Sequence, residues 1–182
     1  MTHLTTSELD RALDEIRQAP RDHGRIELLA RRPRLGERDI LDEATLDRGD
    51  GLLGDRWSLP DAPRKPTKQL TLMNARVIRV LVPEPRDWPI AGDQIYVDFD
   101  LSEANVPPGT RLAIGQTVIE ASTAPHRGCA KFGARFGEEV LRWVNSPTGY
   151  ELNLRGINAL VIEGGTIRRG DAIRKLQLVR QV

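Results

Sequence analysis

At 182 residues the chain suits one domain of ordinary size, able to bury a sizeable core without disulfides or a structural metal. Its 27 Lys and Arg stand against 26 Asp and Glu, a net charge of +1, which excludes a general nucleic-acid binder, since such a protein needs a basic surplus to displace counterions. The single cysteine excludes an intramolecular disulfide, multi-thiolate iron–sulfur clusters, zinc fingers and CxxC redox motifs.

The N-terminus, MTHLTTSELDRALDEIRQAP, is acidic and amphipathic rather than basic and apolar. Leu9, Leu13 and Ile16 recur at helical spacing over residues 6–18, Thr5 and Glu8 have capping-box spacing, and Pro20 follows the end. The spacing predicts a helix with one face packed on the body of the domain, and residues 1–22 are read as an N-terminal helical extension. RIELLARRP predicts a strand. Residues 47–54 are glycine-rich and are not expected inside a regular element. Residues 58–68, with three prolines and two lysines, predict a solvated loop. Residues 69–82 predict a strand followed by a helical turn.

IYVDFDL, from Ile95, alternates apolar and polar residues as a half-buried strand does. RLAIGQTVIEAST predicts two strands joined at Ile114–Gly115–Gln116. Val140, Leu141 and Val144, with Trp143 beside them, predict a helix over 137–145. From ELNLRGINALVIEGG onward the chain returns to strands, with turn pairs at Gly164–Gly165 and Gly170–Asp171. Many short strands at regular spacing predict a mainly β fold with a few helices, an α+β domain built on a barrel or a strongly twisted sandwich. No apolar run approaches the roughly 20 residues needed to cross a bilayer. The expected compartment is the reducing cytoplasm, without a membrane partner.

The densest chemical cluster is Ala124-Pro-His126-Arg127-Gly128-Cys129-Ala-Lys131-Phe132, followed by Arg135. Cationic neighbours favour a thiolate, the form that attacks electrophiles or binds a soft metal. Two readings of Cys129 stand at this point: an exposed reactive sulfur on a loop, or a small buried hydrophobe. His126 is a candidate to orient or protonate a group at that sulfur. The pairs Gly54-Asp55-Arg56, Gly92-Asp93, Arg155-Gly156 and Gly170-Asp171 combine a permissive backbone with charge, as phosphate sites and ordinary β-turns both do. No GxGxxG, P-loop, GxSxG or HExxH motif is present, so the common routes to nucleotide binding, serine hydrolysis and zinc proteolysis are excluded.

The ordered set of segments resembles a known family. Gly51-Leu-Leu-Gly-Asp55-Arg56 and Gln69-Leu-Thr-Leu-Met73 are similar to the opening half of MOSC domains. Ala91-Gly-Asp-Gln-Ile95, Val97-Asp-Phe-Asp-Leu-Ser102, Pro108-Gly-Thr-Arg-Leu112, His126-Arg-Gly-Cys129-Ala-Lys-Phe132 and Leu154-Arg-Gly-Ile157 continue the likeness, which ends in Gly165 and Arg169-Gly-Asp171. The resemblance implies a β-barrel-like MOSC domain over residues 23–182, association with molybdenum cofactor (molybdopterin), and one key cysteine that ligates molybdenum or carries sulfur.

Cys129 is the matching position, as metal ligand and, with His126, as catalytic residue. Arg56, Asp93, Gln94, Arg127, Lys131 and Arg155 are the expected cofactor-binding residues. The family includes the C-terminal part of molybdenum cofactor sulfurases and reductases of N-hydroxylated compounds, which draw electrons from a donor. Three readings follow: a cofactor-binding protein serving a molybdoenzyme partner, a molybdenum-dependent reductase, and a metal-free persulfide relay or adaptor. A pyridoxal-phosphate desulfurase domain is not expected in this chain. Two departures bear on the reductase reading: Trp57-Ser-Leu-Pro60 stands where reductase-type relatives carry His-Gly-Gly, and Gly128 replaces a proline before the cysteine.

Overall fold

Short strands with inward apolar residues can close on one another and so leave no unpaired edge, and this chain does so. A computed structural model describes residues 4–60 and 62–176. Strand β1 (Gly24–Arg31) is followed by β2 (Asp39–Leu41), β3 (Glu43–Asp47), β4 (Gly51–Leu52), β5 (Leu70–Asn74) and β6 (Ile95–Asp98). Then come β7 (Arg111–Ile114), β8 (Thr117–Ala121), β9 (Ile157–Glu163), β10 (Gly165–Arg168) and β11 (Ala172–Lys175). The order β11-β7-β8-β9-β5-β6-β1 closes when β1 pairs back onto β11, at Gly24 with Ile173 and Arg25 with Ala172. The result is a closed seven-stranded barrel, with β2 appended to β1 and a small separate sheet β10-β3-β4. Of the strand pairs described, only β5–β6 is parallel, and its crossover carries helix α3 (Ala75–Leu81) and a 3-10 segment, Pro85–Ala91.

Two apolar cores lie on opposite faces of this wall. Ile26, Leu29, Leu72, Ile95, Val97 and Ile119 belong to the barrel interior. Leu28, Ala30, Met73 and Tyr96 point outward into a second core, covered by helices. Ile26 and Leu29 share the interior although strict alternation would separate them; the register shift between Ile26 and Leu28 resets the pleat. Strand β6 is therefore buried on both faces, not on one as its alternation predicts. Residue Tyr96 looks like the solvent side of a two-faced strand, but it lies under α-helices and donates its hydroxyl to the Trp88 carbonyl at 2.8 Å.

The second core explains the helices. The predicted N-terminal helix forms as two consecutive pieces, α1 (Thr6–Arg11) and α2 (Leu13–Arg17), joined at Ala12. The Thr5–Glu8 capping box is present, and Leu9 and Ile16 are buried against the body of the domain. Helix α5 (Glu138–Val144) matches the predicted apolar stripe, and it is preceded by α4 (Ala130–Phe136) and followed by α6 (Pro147–Glu151). These two short helices, and strands β2 to β4, go beyond the sequence expectation. Gly51 and Leu52 form a strand inside the glycine-rich stretch, and the strand expected from Glu151 begins only at Ile157. Gly156 sets that start: its φ is +97°, and a side chain there would meet the Leu72 carbonyl at 2.0 Å. None of the described helices is long and apolar enough to cross a membrane.

Candidate functional site: a basic cleft above a buried charge layer

Where the chain leaves β1, enters β5 and β9, and crosses from β8 to α4, the barrel carries an open cleft of about 950 Å³. Its basic lining residues are Arg32, Arg34, Arg56, Lys68 and Arg127, and no acidic residue lines it among those described. In a chain of almost balanced charge, that is a local concentration of positive potential suited to an anion. Cys129 and His126 line the same cleft, and Cys129 is exposed.

The first wall is fixed by a buried ion pair. Asp55 is fully buried; one carboxylate oxygen accepts from the Arg32 backbone N–H and Nε, both at 2.9 Å, and the other from Arg32 Nη2 at 2.9 Å and the Trp57 N–H at 3.0 Å. The Gly54-Asp55-Arg56 motif thus ties its turn to the end of β1. Arg56 is left on the cleft lining, beside Trp57, whose indole N–H is buried without a partner among the described residues.

The second wall stands on a chain of three residues. Asp93 is fully buried between Arg155, with Nη1 2.5 Å from Oδ2, and His126, with Nε2 3.0 Å from Oδ1. Arg155 also donates to the Ala91 carbonyl at 3.1 Å and lies over the Phe132 ring. Burial by itself raises the Asp93 carboxyl, but Arg155 and then His126 outweigh it and hold the group well below the usual carboxylate range. For His126, burial pushes the imidazole below its ordinary value of 6.5 and the Arg155 charge adds to this, with Asp93 opposing. The ring is therefore neutral at pH 7. An ionised carboxylate only accepts, so Nε2 carries the proton and Nδ1 keeps its lone pair.

The third wall is the loop before α4. Asn145 clasps Gly128 from both sides, accepting its N–H and donating to its carbonyl, each at 3.0 Å. A Cβ at Gly128 would meet Val144 at 2.8 Å and Leu141 at 2.9 Å. That contact explains the departure from proline: a ring here would lose the N–H and overlap α5. The clasp presents Cys129 as the residue that caps α4.

The cations that neighbour Cys129 in sequence do not gather around it. Arg135 turns to the Ile90 carbonyl at 2.9 Å, Arg127 lies over the Tyr150 ring at 4.0 Å, and the exposed Lys131 is not on the cleft lining. Apart from Arg127, the positive lining comes from distant segments. Lys68, at the end of the stretch expected to be only a solvated loop, is part of it. Of the expected cofactor-binding residues, Arg56 and Arg127 reach the cleft. Asp93, Gln94 and Arg155 lie buried beneath it. Gln94 spends its side-chain oxygen on Thr71, accepting from N at 2.9 Å and Oγ1 at 3.0 Å. Arg32, Arg34, Trp57 and Asn158, which carry no motif signal, join the lining.

Compared with known families, residues 65–174 match the model of the MOSC domain. The chain belongs to the MOSC domain family. The matched segment holds β5 to β10, most of β11, and Cys129; β1 and the Arg32–Asp55 pair precede it, yet complete the barrel and the cleft. Solved structures share this MOSC-type architecture. YiiM from Escherichia coli aligns with a TM-score of 0.57 and 21% identity, over 87% of this chain and 72% of that one. YiiM from Geobacillus stearothermophilus aligns at 0.59 and 12%, over 85% and 75%. YuaD from Bacillus subtilis aligns at 0.53 and 18%, over 85% and 97%. At these identities the likeness is one of fold. A comparison with curated proteins finds no match.

Proposed function

We propose that this MOSC domain binds a molybdopterin-type molybdenum cofactor in the basic cleft, with Cys129 as the protein's ligand to the metal. The observation that carries this reading is the pairing of an exposed lone thiol with a large basic cleft that no acidic residue lines among those described. The donor set suits the group. A cysteine sulfur is a soft ligand. Arg56, Lys68 and Arg34 are placed to meet a phosphate. Among the described residues no three His, Cys, Asp or Glu side chains converge on a metal position, so Cys129 would hold molybdenum together with the dithiolene of the pterin.

When bound, such a cofactor supplies two-electron oxygen-atom chemistry at molybdenum. The chain's own residues would bind and orient it: the Arg32–Asp55 pair holds the Arg56 turn, and the Asn145 clasp holds the Cys129 loop. Reduction of an N-hydroxylated compound at this site would draw its electrons from a partner protein. A second reading, a persulfide relay on Cys129, is favoured by the exposure of the sulfur, which a donor's sulfur could reach.

Expression in a cofactor-producing host, followed by molybdenum and pterin analysis, tests the proposal. Wild type is expected to carry both, Cys129→Ser to lose molybdenum, and Arg56→Ala combined with Lys68→Ala to lose pterin. A metal-free wild type indistinguishable from Cys129→Ser would defeat the cofactor reading. A labile added sulfur on Cys129 without pterin would select the relay.

A further inference from the structure

Behind the loop that carries His126 lies a second cavity, of about 220 Å³. It shares Pro125, His126, Arg127 and Asn158 with the large cleft, so one wall separates two spaces. Their chemistry differs. The large cleft is basic and acid-free among the described residues. The small cavity has an apolar side, Val106, Pro108, Ala121 and Ile157, and one acidic residue, Glu103. Its one full cation, Arg127, is stacked on Tyr150. The volume is below the roughly 300–1,000 Å³ of ordinary ligand pockets, a size for a fragment rather than for a pterin.

The hydrogen-bonding capacity of the shared wall's uncharged side chains is one-sided. His126 has spent its N–H on Asp93, whose other oxygen is locked by Arg155. Asn158 has turned its amide nitrogen to the Ala124 carbonyl at 3.0 Å. Apart from the Arg127 guanidinium, whose face is stacked on Tyr150, what the wall's side chains offer is therefore the His126 Nδ1 lone pair and the Asn158 Oδ1, neither with a partner among the described residues. Both are acceptors. Asp93 and Arg155 act here as positioning residues: they set which ring nitrogen is bare.

We propose that the small cavity is a second ligand chamber, which receives a small, partly apolar molecule through N–H or O–H groups that donate to His126 Nδ1 and Asn158 Oδ1. The cofactor reading supplies the purpose of the chamber, as the substrate side of a shared wall; the binding itself does not depend on it. The same wall that turns basic residues toward an anion on one side thus selects a hydrogen-bond donor on the other.

The test uses the full chain without cofactor. Benzamidine serves as the donor-bearing probe and benzoate as its anionic counterpart, both followed by backbone amide shifts in NMR. Benzamidine should give saturable shifts at residues 103–108, 121–124 and 153–158, and benzoate should move residues near Arg56 and Lys68 instead. His126→Phe and Asn158→Leu should each weaken benzamidine by about tenfold, the value of one lost hydrogen bond. Long-range proton–nitrogen spectra of wild type should show His126 as the neutral Nε2–H tautomer, a readout that needs no variant to fold. Absence of saturable benzamidine shifts, undiminished binding in the variants, or an Nδ1–H tautomer overturns the proposal. Loss of the chamber with molybdenum and pterin still bound would leave the cofactor reading standing, and a metal-free protein that binds benzamidine at the wall would do the reverse.

Discussion

The rim of the cleft and the layer beneath it contain similar residue types in opposite circumstances. On the rim, Arg56, Arg127 and Cys129 face open space, and each could be replaced without leaving a buried charge. Beneath it, Asp93 and Arg155 are sealed, and among the described residues each is the other's only neutralising partner of opposite charge. The contrast separates residues able to touch a ligand from residues that aim them. A buried ion pair adds little net stability over a well-packed apolar pair, but breaking it strands a charge. Its position under His126 makes it a device for geometry.

The sharpest way to break the comparison is to remove one member of the buried layer. Asp93→Ala should cost about 3–5 kcal/mol in chemical denaturation, because Arg155 is left unpaired in the interior. A loss under 1 kcal/mol would mean that the layer relaxes like the rim. Next in size is Gly128→Pro, which removes the N–H held by Asn145 and collides with α5. It should cost about 1–3 kcal/mol and alter thiol labelling of Cys129; unchanged melting and labelling would show that the clasp does not set the loop.

A pH series comes third. The unfolded imidazole takes its proton near 6.5 and the folded His126 only lower, so between those values the unfolded state binds more protons. Stability should fall as pH drops below about 6.5 and stop falling from this source once the folded ring is protonated. Asp93, with its folded carboxyl depressed, adds a further loss as pH drops below its ordinary value of 3.8. The urea midpoint of His126→Asn should be flatter between pH 7 and 5 than that of wild type; parallel curves would place His126 with the solvated rim. The smallest effect belongs to the rim itself. Cys129→Ser and Arg56→Ala should each stay within about 0.5 kcal/mol of wild type, with any larger loss assigning them a share in the fold.

Much of the fold was legible because it is local. The capping box at Thr5 and Glu8, the alternation in β7 and β8, and the apolar stripe of α5 each lie within a dozen residues. Strands β2 and β4 were not, since Asp39–Leu41 and Gly51–Leu52 are too short to show a period and form only against partners elsewhere in the chain. Strand β6 was half legible: Tyr96 reads as a surface residue until helices are known to cover it.

In the site, the loop around Cys129 could be recognised from Pro125 and Gly128, and its sulfur is exposed as one of the two readings requires. The cationic cluster around it was a sequence neighbourhood only. Arg135 turns away and Lys131 lies off the lining, Arg127 keeps its place on the cleft while stacked on Tyr150, and Arg32, Arg34 and Lys68 arrive from residues far off in the chain.

By itself the sequence determined the mainly β composition with its capped N-terminal helix, the lone thiol on a glycine-bounded loop, and a MOSC pattern ordered along the chain. Those features depend on neighbours in the chain and on residue chemistry. Only the tertiary structure decided that the barrel closes, that Asp93, Gln94 and Arg155 lie under the cleft, and that His126, tied to Asp93 through Nε2, lines two cavities. Burial and pairing arise between segments more than 60 residues apart, as for Arg155 and Asp93, and no local pattern encodes which charge meets which.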